Sequence, residues 1–74
     1  MGLFYNNRTH RDAIVTVKIE AVADPKKALK IGSESAMRDF PAEIGIYDLV
    51  VGPDQSIELA DGVQATFVAV RNNP

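Results

Sequence analysis

Apolar and polar residues alternate most regularly in the stretch AIVTVKIEAVA at 13–23. Val15, Val17 and Ile19 fall on one side of an extended chain, and Thr16 falls on the other side. A period of two is typical of a strand that buries one face. We therefore predict the first strand of the domain at 13–23.

The spacing of apolar residues changes to three and four positions after this strand. Asp24 and Pro25 are typical of a helix N-cap and of the first helical position. Pro41 favours a helix end, because the residue before a proline is disfavoured in the helical region. We therefore predict a helix from about Pro25 to Phe40, either continuous or divided at Gly32. Its buried stripe comprises Ala28, Leu29, Gly32, Ala36, Met37 and Phe40.

The remainder of the chain has the pattern of strands joined by tight turns. The stretch EIGIYDLVV at 43–51 is rich in β-branched and aromatic residues, which predicts a strand, and GPDQ at 52–55 predicts a turn. The runs SIEL and VQATFVAVR then flank Ala60-Asp61-Gly62. Asp-Gly between two such runs indicates a β-hairpin.

These elements predict the order β-α-β-β-β, preceded by an extended N-terminal arm at 1–12. A chain of 74 residues allows one small core, and it buries about 60% of the surface that the unfolded chain exposes. We therefore expect a single α+β domain at 13–74, with one helix packed on an antiparallel or mixed sheet in two layers.

The predicted strands carry more apolar surface than one helix covers. Tyr47 and Leu49 share one face of the strand at 43–51, while Ile46 and Val50 lie on the other face. One helix covers a single face, so the second face requires the apolar arm, another copy of the chain or a partner protein. The residues that we predict to bind through the arm and the sheet face are Leu3, Phe4, Tyr5, Arg8, Arg11, Ile44, Ile46, Val50, Val68 and Val70.

The charges divide unevenly along a chain whose net charge is −2. Residues 1–30 contain six basic and three acidic side chains, whereas residues 31–74 contain two basic and seven acidic side chains. This division indicates either differently solvated faces or a polar molecule that attracts copies of itself or a charged partner.

Candidate catalytic chemistry is sparse in this sequence. The chain has no Cys and a single histidine, His10, so thiol catalysis, disulfides and a two-histidine metal site within one chain are excluded. No G-x-S-x-G turn and no glycine-rich phosphate loop occurs. We therefore expect no enzyme activity and no cofactor.

The expected location is a soluble, reducing compartment such as the cytoplasm, or a virion. No apolar run approaches the roughly 20 residues of a membrane span. Asn7-Arg8-Thr9 is a glycosylation sequon, which matters only in a secreted chain.

The stretch LVVGPDQSIELADGVQATFVAVRNN at 49–73 resembles the opening hairpin of the carbon storage regulator family of small RNA-binding dimers. That family contacts RNA through basic residues directly after the first leucine, where this chain has Val50, Val51 and Gly52. We interpret the resemblance as convergent hairpin patterning.

Two hypotheses of function follow from these patterns. The first is a non-enzymatic protein-interaction or assembly subunit, such as a structural, accessory or docking-inhibitor protein, which forms a homo-oligomer or binds another protein. The alternative is a small nucleic-acid-binding protein that uses the basic side chains of the arm and the helix start, against the overall acidity of the chain.

Overall fold

Seven strands and one 3₁₀ turn make up residues 2–72, the part of the chain that the computed structural model describes. The strands are β1 (Gly2–Asn6), β2 (Ala13–Ala21), β3 (Leu29–Ser33), β4 (Ala36–Phe40), β5 (Gly45–Val51), β6 (Ser56–Leu59) and β7 (Gln64–Asn72), and the 3₁₀ turn is Pro25–Lys27.

The strands form two antiparallel sheets. One sheet has four strands in the order β1-β6-β3-β4, and the other has three strands in the order β5-β2-β7. The buried residues of both sheets belong to one cluster, so the fold is a two-layer β-sandwich. Its largest fully buried apolar side chains are Val15, Val17, Ile19, Leu29, Val51 and Ile57.

The predicted α+β class is wrong, because residues 25–40 form the 3₁₀ turn and the β3–β4 hairpin instead of a helix. The local start signal is present: the Asp24 carboxylate accepts a hydrogen bond from the N–H of Lys26 at 3.1 Å. The helical turn then stops, and the carbonyl of Ala28 accepts a hydrogen bond from the N–H of Ala60 at 3.1 Å.

Long-range strand pairing explains why this segment is extended. Leu29 lies opposite both Phe40 and Leu59. It belongs to the buried core, and Ile31, two residues later, packs against that core. Gly32 belongs to β3, where a Cβ atom would lie 2.2 Å from the carbonyl oxygen of Ala36. Glycine permits this close approach of two strands, whereas in a helix it costs about 1 kcal/mol relative to alanine. The apparent helical stripe is therefore overridden by tertiary contacts.

The predicted hairpin around Asp61-Gly62 is also wrong in its pairing. The turn forms, with Gly62 at φ +81° and the N–H of Val63 donating to the carbonyl of Ala60 at 3.3 Å. However, both edges of β6 are already occupied by β1 and β3, so β7 crosses to the other sheet and pairs with β2. The turn therefore links the two layers, and the hairpin that carried the RNA-binding resemblance does not exist.

The first strand and the turn at 52–55 are confirmed. β2 buries the alternating residues Ala13, Val15, Val17 and Ile19. The turn is closed by the N–H of Gln55, which donates to the carbonyl of Gly52 at 3.1 Å.

A β-bulge in β7 changes which residues share a face. Thr16 pairs with Ala69 and Val17 pairs with Phe67, which leaves Val68 as the extra residue. Phe67 and Val70 therefore both face the inner side of the sheet, whereas strict alternation predicts opposite sides. Among residues 2–72, no helix is long and apolar enough to cross a membrane.

Candidate functional site

β7 is an edge strand whose side chains are exposed along almost its whole length. It pairs with β2 on one side, and no strand of the described chain pairs with its other side. Phe67, Val68 and Val70 expose 42%, 53% and 42% of their surface. The edge of the three-stranded sheet therefore combines free backbone donors and acceptors with apolar side chains.

β1 closes the same side of the sandwich. It pairs with β6, so the apolar arm folds back on its own sheet. The rings of Phe4 and Tyr5 lie 5.8 Å and 6.0 Å from the ring of Phe67, measured between centroids. The neighbouring residue Leu3 is 65% exposed.

The outer face of the three-stranded sheet holds the predicted residues of β5. Ile46 and Val50 are exposed there, and Ile44 is exposed just before the strand. They are separated by Asp48, whose carboxylate accepts a hydrogen bond from the hydroxyl of Thr16 at 2.5 Å. The apolar residues on this face are therefore interrupted by polar ones.

Arg8 and Arg11 lie in the connection from β1 to β2, which is anchored by Asn7. The side chain of Asn7 is fully buried, and its Nδ2 lies within 2.8–3.0 Å of the carbonyl oxygens of Arg11, Val51 and Gly52. The Oδ1 of Asn7 accepts hydrogen bonds from both the N–H and the hydroxyl of Thr9. This connection is an ordered loop, with the side chains of Arg8 and Arg11 exposed on it.

The basic side chains do not form one region. Arg8 and Arg11 precede β2, whereas Lys26 and Lys27 follow it, and a strand of nine residues is about 26 Å long. Lys30 lies in register between Asp39 and Glu58 on the four-stranded sheet. The clustering that favoured nucleic-acid binding is therefore missing from the fold.

A groove of about 470 Å³ separates β4 and β5 on the side of the sandwich opposite β1 and β7. Ile31, Phe40 and Leu49 line its apolar part, and Arg38, Asp39 and Asp48 add charge of both signs. Among residues 2–72, no group of three or more potential metal-ligating side chains comes together.

Sequence reasoning missed Phe67 and Asn7. Strict period-two counting places Phe67 on the face opposite Val70, because it does not detect the bulge. Asn7 stands in the polar run Asn6-Asn7-Arg8-Thr9, whose composition indicates a flexible connector. The usable signal is Asn followed two residues later by Thr, a pattern that favours local side-chain-to-backbone turns.

No protein-family model, curated protein or solved structure matches this chain. The geometry of the sandwich is therefore what indicates a function for this chain.

Proposed function

We propose that this protein is a non-catalytic interaction or assembly subunit that docks through the β7 edge. The observation that carries this proposal is a nine-residue edge strand with apolar side chains exposed on both faces. Such an edge supplies backbone hydrogen bonds for a further strand and apolar surface for specificity.

The sequence of β7 supports this role, because it lacks the usual protection of an edge. Natural edge strands carry Lys, Pro or inward-pointing charges that prevent pairing with other chains. β7 has no Lys and no Pro, and its single charge, Arg71, lies near one end. By contrast, the edge strand β4 carries Arg38 and Asp39 in its five residues. The edge strands β1 and β5 also lack Lys and Pro. However, β7 is the longest of the four edge strands, with nine residues, and it exposes three large apolar side chains. β7 is therefore the edge best suited to accept a further strand.

We further propose that the protein works in a soluble, reducing compartment. The chain has no Cys, so its stability requires no oxidising environment.

Sedimentation velocity over a range of concentrations tests the proposed function. We expect the unmodified chain to sediment as a species larger than its 8.0 kDa monomer at high concentration. Val68→Lys places a charge on the open edge and should return the protein to the monomer. Val50→Lys is the matched control, because Val50 is similarly exposed but lies on β5, the opposite edge of the same sheet.

Two results would contradict this proposal. One is a monomer at every concentration, and the other is equal loss of association in both lysine variants. The circular dichroism spectrum of each variant verifies that the sandwich remains folded.

A further inference from the structure

We propose that the partner of β7 is β7 of a second copy, paired antiparallel about a two-fold axis between Val68 and Ala69. This inference rests on the proposed function and specifies its partner. The two three-stranded sheets then become one six-stranded sheet, in the order β5-β2-β7-β7-β2-β5. Because the contact is the same on both copies, it closes after two chains.

The bulge restricts the register of this pairing. Residues opposite each other in an antiparallel pair point to the same face of the sheet. Phe67 and Val70 face inward, while Thr66 and Arg71 face outward, as shown by their partners in β2. A two-fold axis between Val68 and Ala69 places Phe67 opposite Val70 of the second copy. It also places Thr66 opposite Arg71. The two members of each pair therefore point to the same face of the sheet.

A second register, with the axis one residue nearer the start of β7, also pairs residues that point to the same face. The position of charged side chains distinguishes the two registers. The shifted register places Arg71 opposite Gln64 of the second copy. In the proposed register Arg71 lies opposite Thr66, whose hydroxyl donates a hydrogen bond to the carboxylate of Glu20. Lys18 of the second copy lies beside the same Thr66 in β2, but the carboxylate of Glu20 is the group that reaches the Thr66 hydroxyl. The guanidinium is therefore placed next to that carboxylate, twice by symmetry.

Arg71 is available for this contact at little cost. In the single chain its Nη2 lies 3.8 Å from Oδ2 of Asp48, and both side chains are more than half exposed. Exposed ion pairs of this kind contribute little to stability. Arg71 can therefore leave Asp48 for Glu20 of the second copy.

The pairing also covers the exposed inner side of β7. Phe67 and Val70 of one copy face Val70 and Phe67 of the other, next to the aromatic contacts of Phe67 with Phe4 and Tyr5. Apolar side chains at the centre and ion pairs at both ends are the arrangement of a specific interface.

Single cysteines give the first test, because the chain has none of its own. The proposed register places the two Ala69 Cα atoms about 6 Å apart, within the range of a disulfide. Ala69→Cys should form a covalent dimer under mild oxidation. Val50→Cys is the matched control, since Val50 is exposed on β5 and its two copies would lie at least about 24 Å apart across the six-stranded sheet. Ala69→Ser verifies that the position tolerates a substitution of this size.

Charge reversal gives the second test. Arg71→Glu and Glu20→Lys should each raise the dimer dissociation constant at least about threefold, and the double variant should restore it to within about twofold. Asp48→Asn should leave the dimer dissociation constant unchanged or lower it, because this substitution releases Arg71 from its ion pair with Asp48.

The outcomes separate this inference from the proposed function. Cross-linking at Ala69 with rescue by the charge swap supports the β7 pairing. Two outcomes overturn the proposed pairing and leave the interaction role standing, provided that Val68→Lys abolishes the dimer. One is a cross-link through Val50→Cys, and the other is a double variant of Arg71 and Glu20 that does not restore the dimer. A chain that stays monomeric at every concentration overturns both.

Discussion

The side-chain Nδ2 of Asn7 lies 2.8 Å from the carbonyl oxygen of Val51, at a point where no surface of Asn7 reaches solvent. This contact joins the end of β1 to the end of β5 and so ties one sheet of the sandwich to the other. The backbone of Asn7 adds two further bonds, because its N–H donates to Gln55 and its carbonyl accepts from Asp54. The loop that follows β1 is thereby fixed.

The first prediction concerns this buried amide. Asn7→Ala removes the donor shared by three carbonyls and the acceptor for Thr9. The unfolding free energy should fall by about 2–4 kcal/mol, since several buried polar groups lose their partner. Chemical denaturation measures this change. Asn6→Ala is the control at the neighbouring, exposed position, and equal stability of the two variants would contradict the prediction.

The same burial bears on the sequon Asn7-Arg8-Thr9. The Nδ2 that would carry a glycan is fully engaged inside the folded chain. A glycan at Asn7 is therefore incompatible with this fold.

The second prediction concerns the close approach of β3 and β4. Gly32→Ala places a Cβ atom 2.2 Å from the carbonyl oxygen of Ala36, which is backbone and must move. We expect a loss of about 1–3 kcal/mol of unfolding free energy, as for other overpacked sites. Gly2→Ala is the control, because a Cβ there meets nothing within 4 Å. If the segment were a helix, Gly32→Ala would instead raise stability, so the sign of the change tests the hairpin directly.

The sequence predicts the parts of this fold that depend on local chemistry. The alternation of β2, the capping side chain of Asp24 and the turn at 52–55 each depend on neighbouring residues, and each is present. Small and apolar residues at 28–40 have helical spacing and so predict a helix, whereas five-residue strands are too short to show a clear alternation of their own. The pairing of β3 with β4 and β6, which brings Leu29 opposite Phe40 and Leu59, is a set of contacts that helical spacing does not reveal.

The candidate site shows the same limit. The exposure of Val68 follows from the sequence pattern, but the joint inward facing of Phe67 and Val70 does not. It arises from a bulge in the pairing of β7 with β2. The free edge of β7 likewise depends on β6 already having two neighbours, which no local pattern encodes.

The third prediction concerns Asp54, which has a positive φ of 59°. Asp and Asn tolerate this left-handed conformation, glycine adopts it freely, and β-branched residues resist it. We expect Asp54→Gly to remain within about 0.5 kcal/mol of the original stability and Asp54→Val to lose about 1–2 kcal/mol. Circular dichroism during thermal unfolding measures whether Asp54→Gly is more stable than Asp54→Val. Equal stability of Asp54→Val and the original chain would show that the turn adopts another geometry.

The fourth prediction concerns nucleic acid. Because the basic side chains lie at opposite ends of β2, we expect weak binding of the unmodified chain to single-stranded RNA. Replacing both Arg8 and Arg11 with Gln should change little. Fluorescence anisotropy of a labelled oligonucleotide, at low and at physiological salt, measures the affinity of the unmodified chain and of the double variant. Tight binding that falls steeply with salt would contradict this prediction and support the nucleic-acid alternative.

The fifth prediction tests whether the N-terminal strand belongs to the core of its own chain. Phe4 is half-buried, packs against the core cluster and contacts the ring of Phe67, whereas the adjacent Leu3 is largely exposed. Phe4→Ala should therefore lower the unfolding free energy by about 2–3 kcal/mol, and Leu3→Ala should change it by less than about 0.5 kcal/mol. Denaturation at a concentration where the protein is monomeric separates folding from association. If Phe4→Ala lowered stability only at concentrations that support the oligomer, the strand would belong to an interface between chains, and its pairing with β6 would have to form between copies.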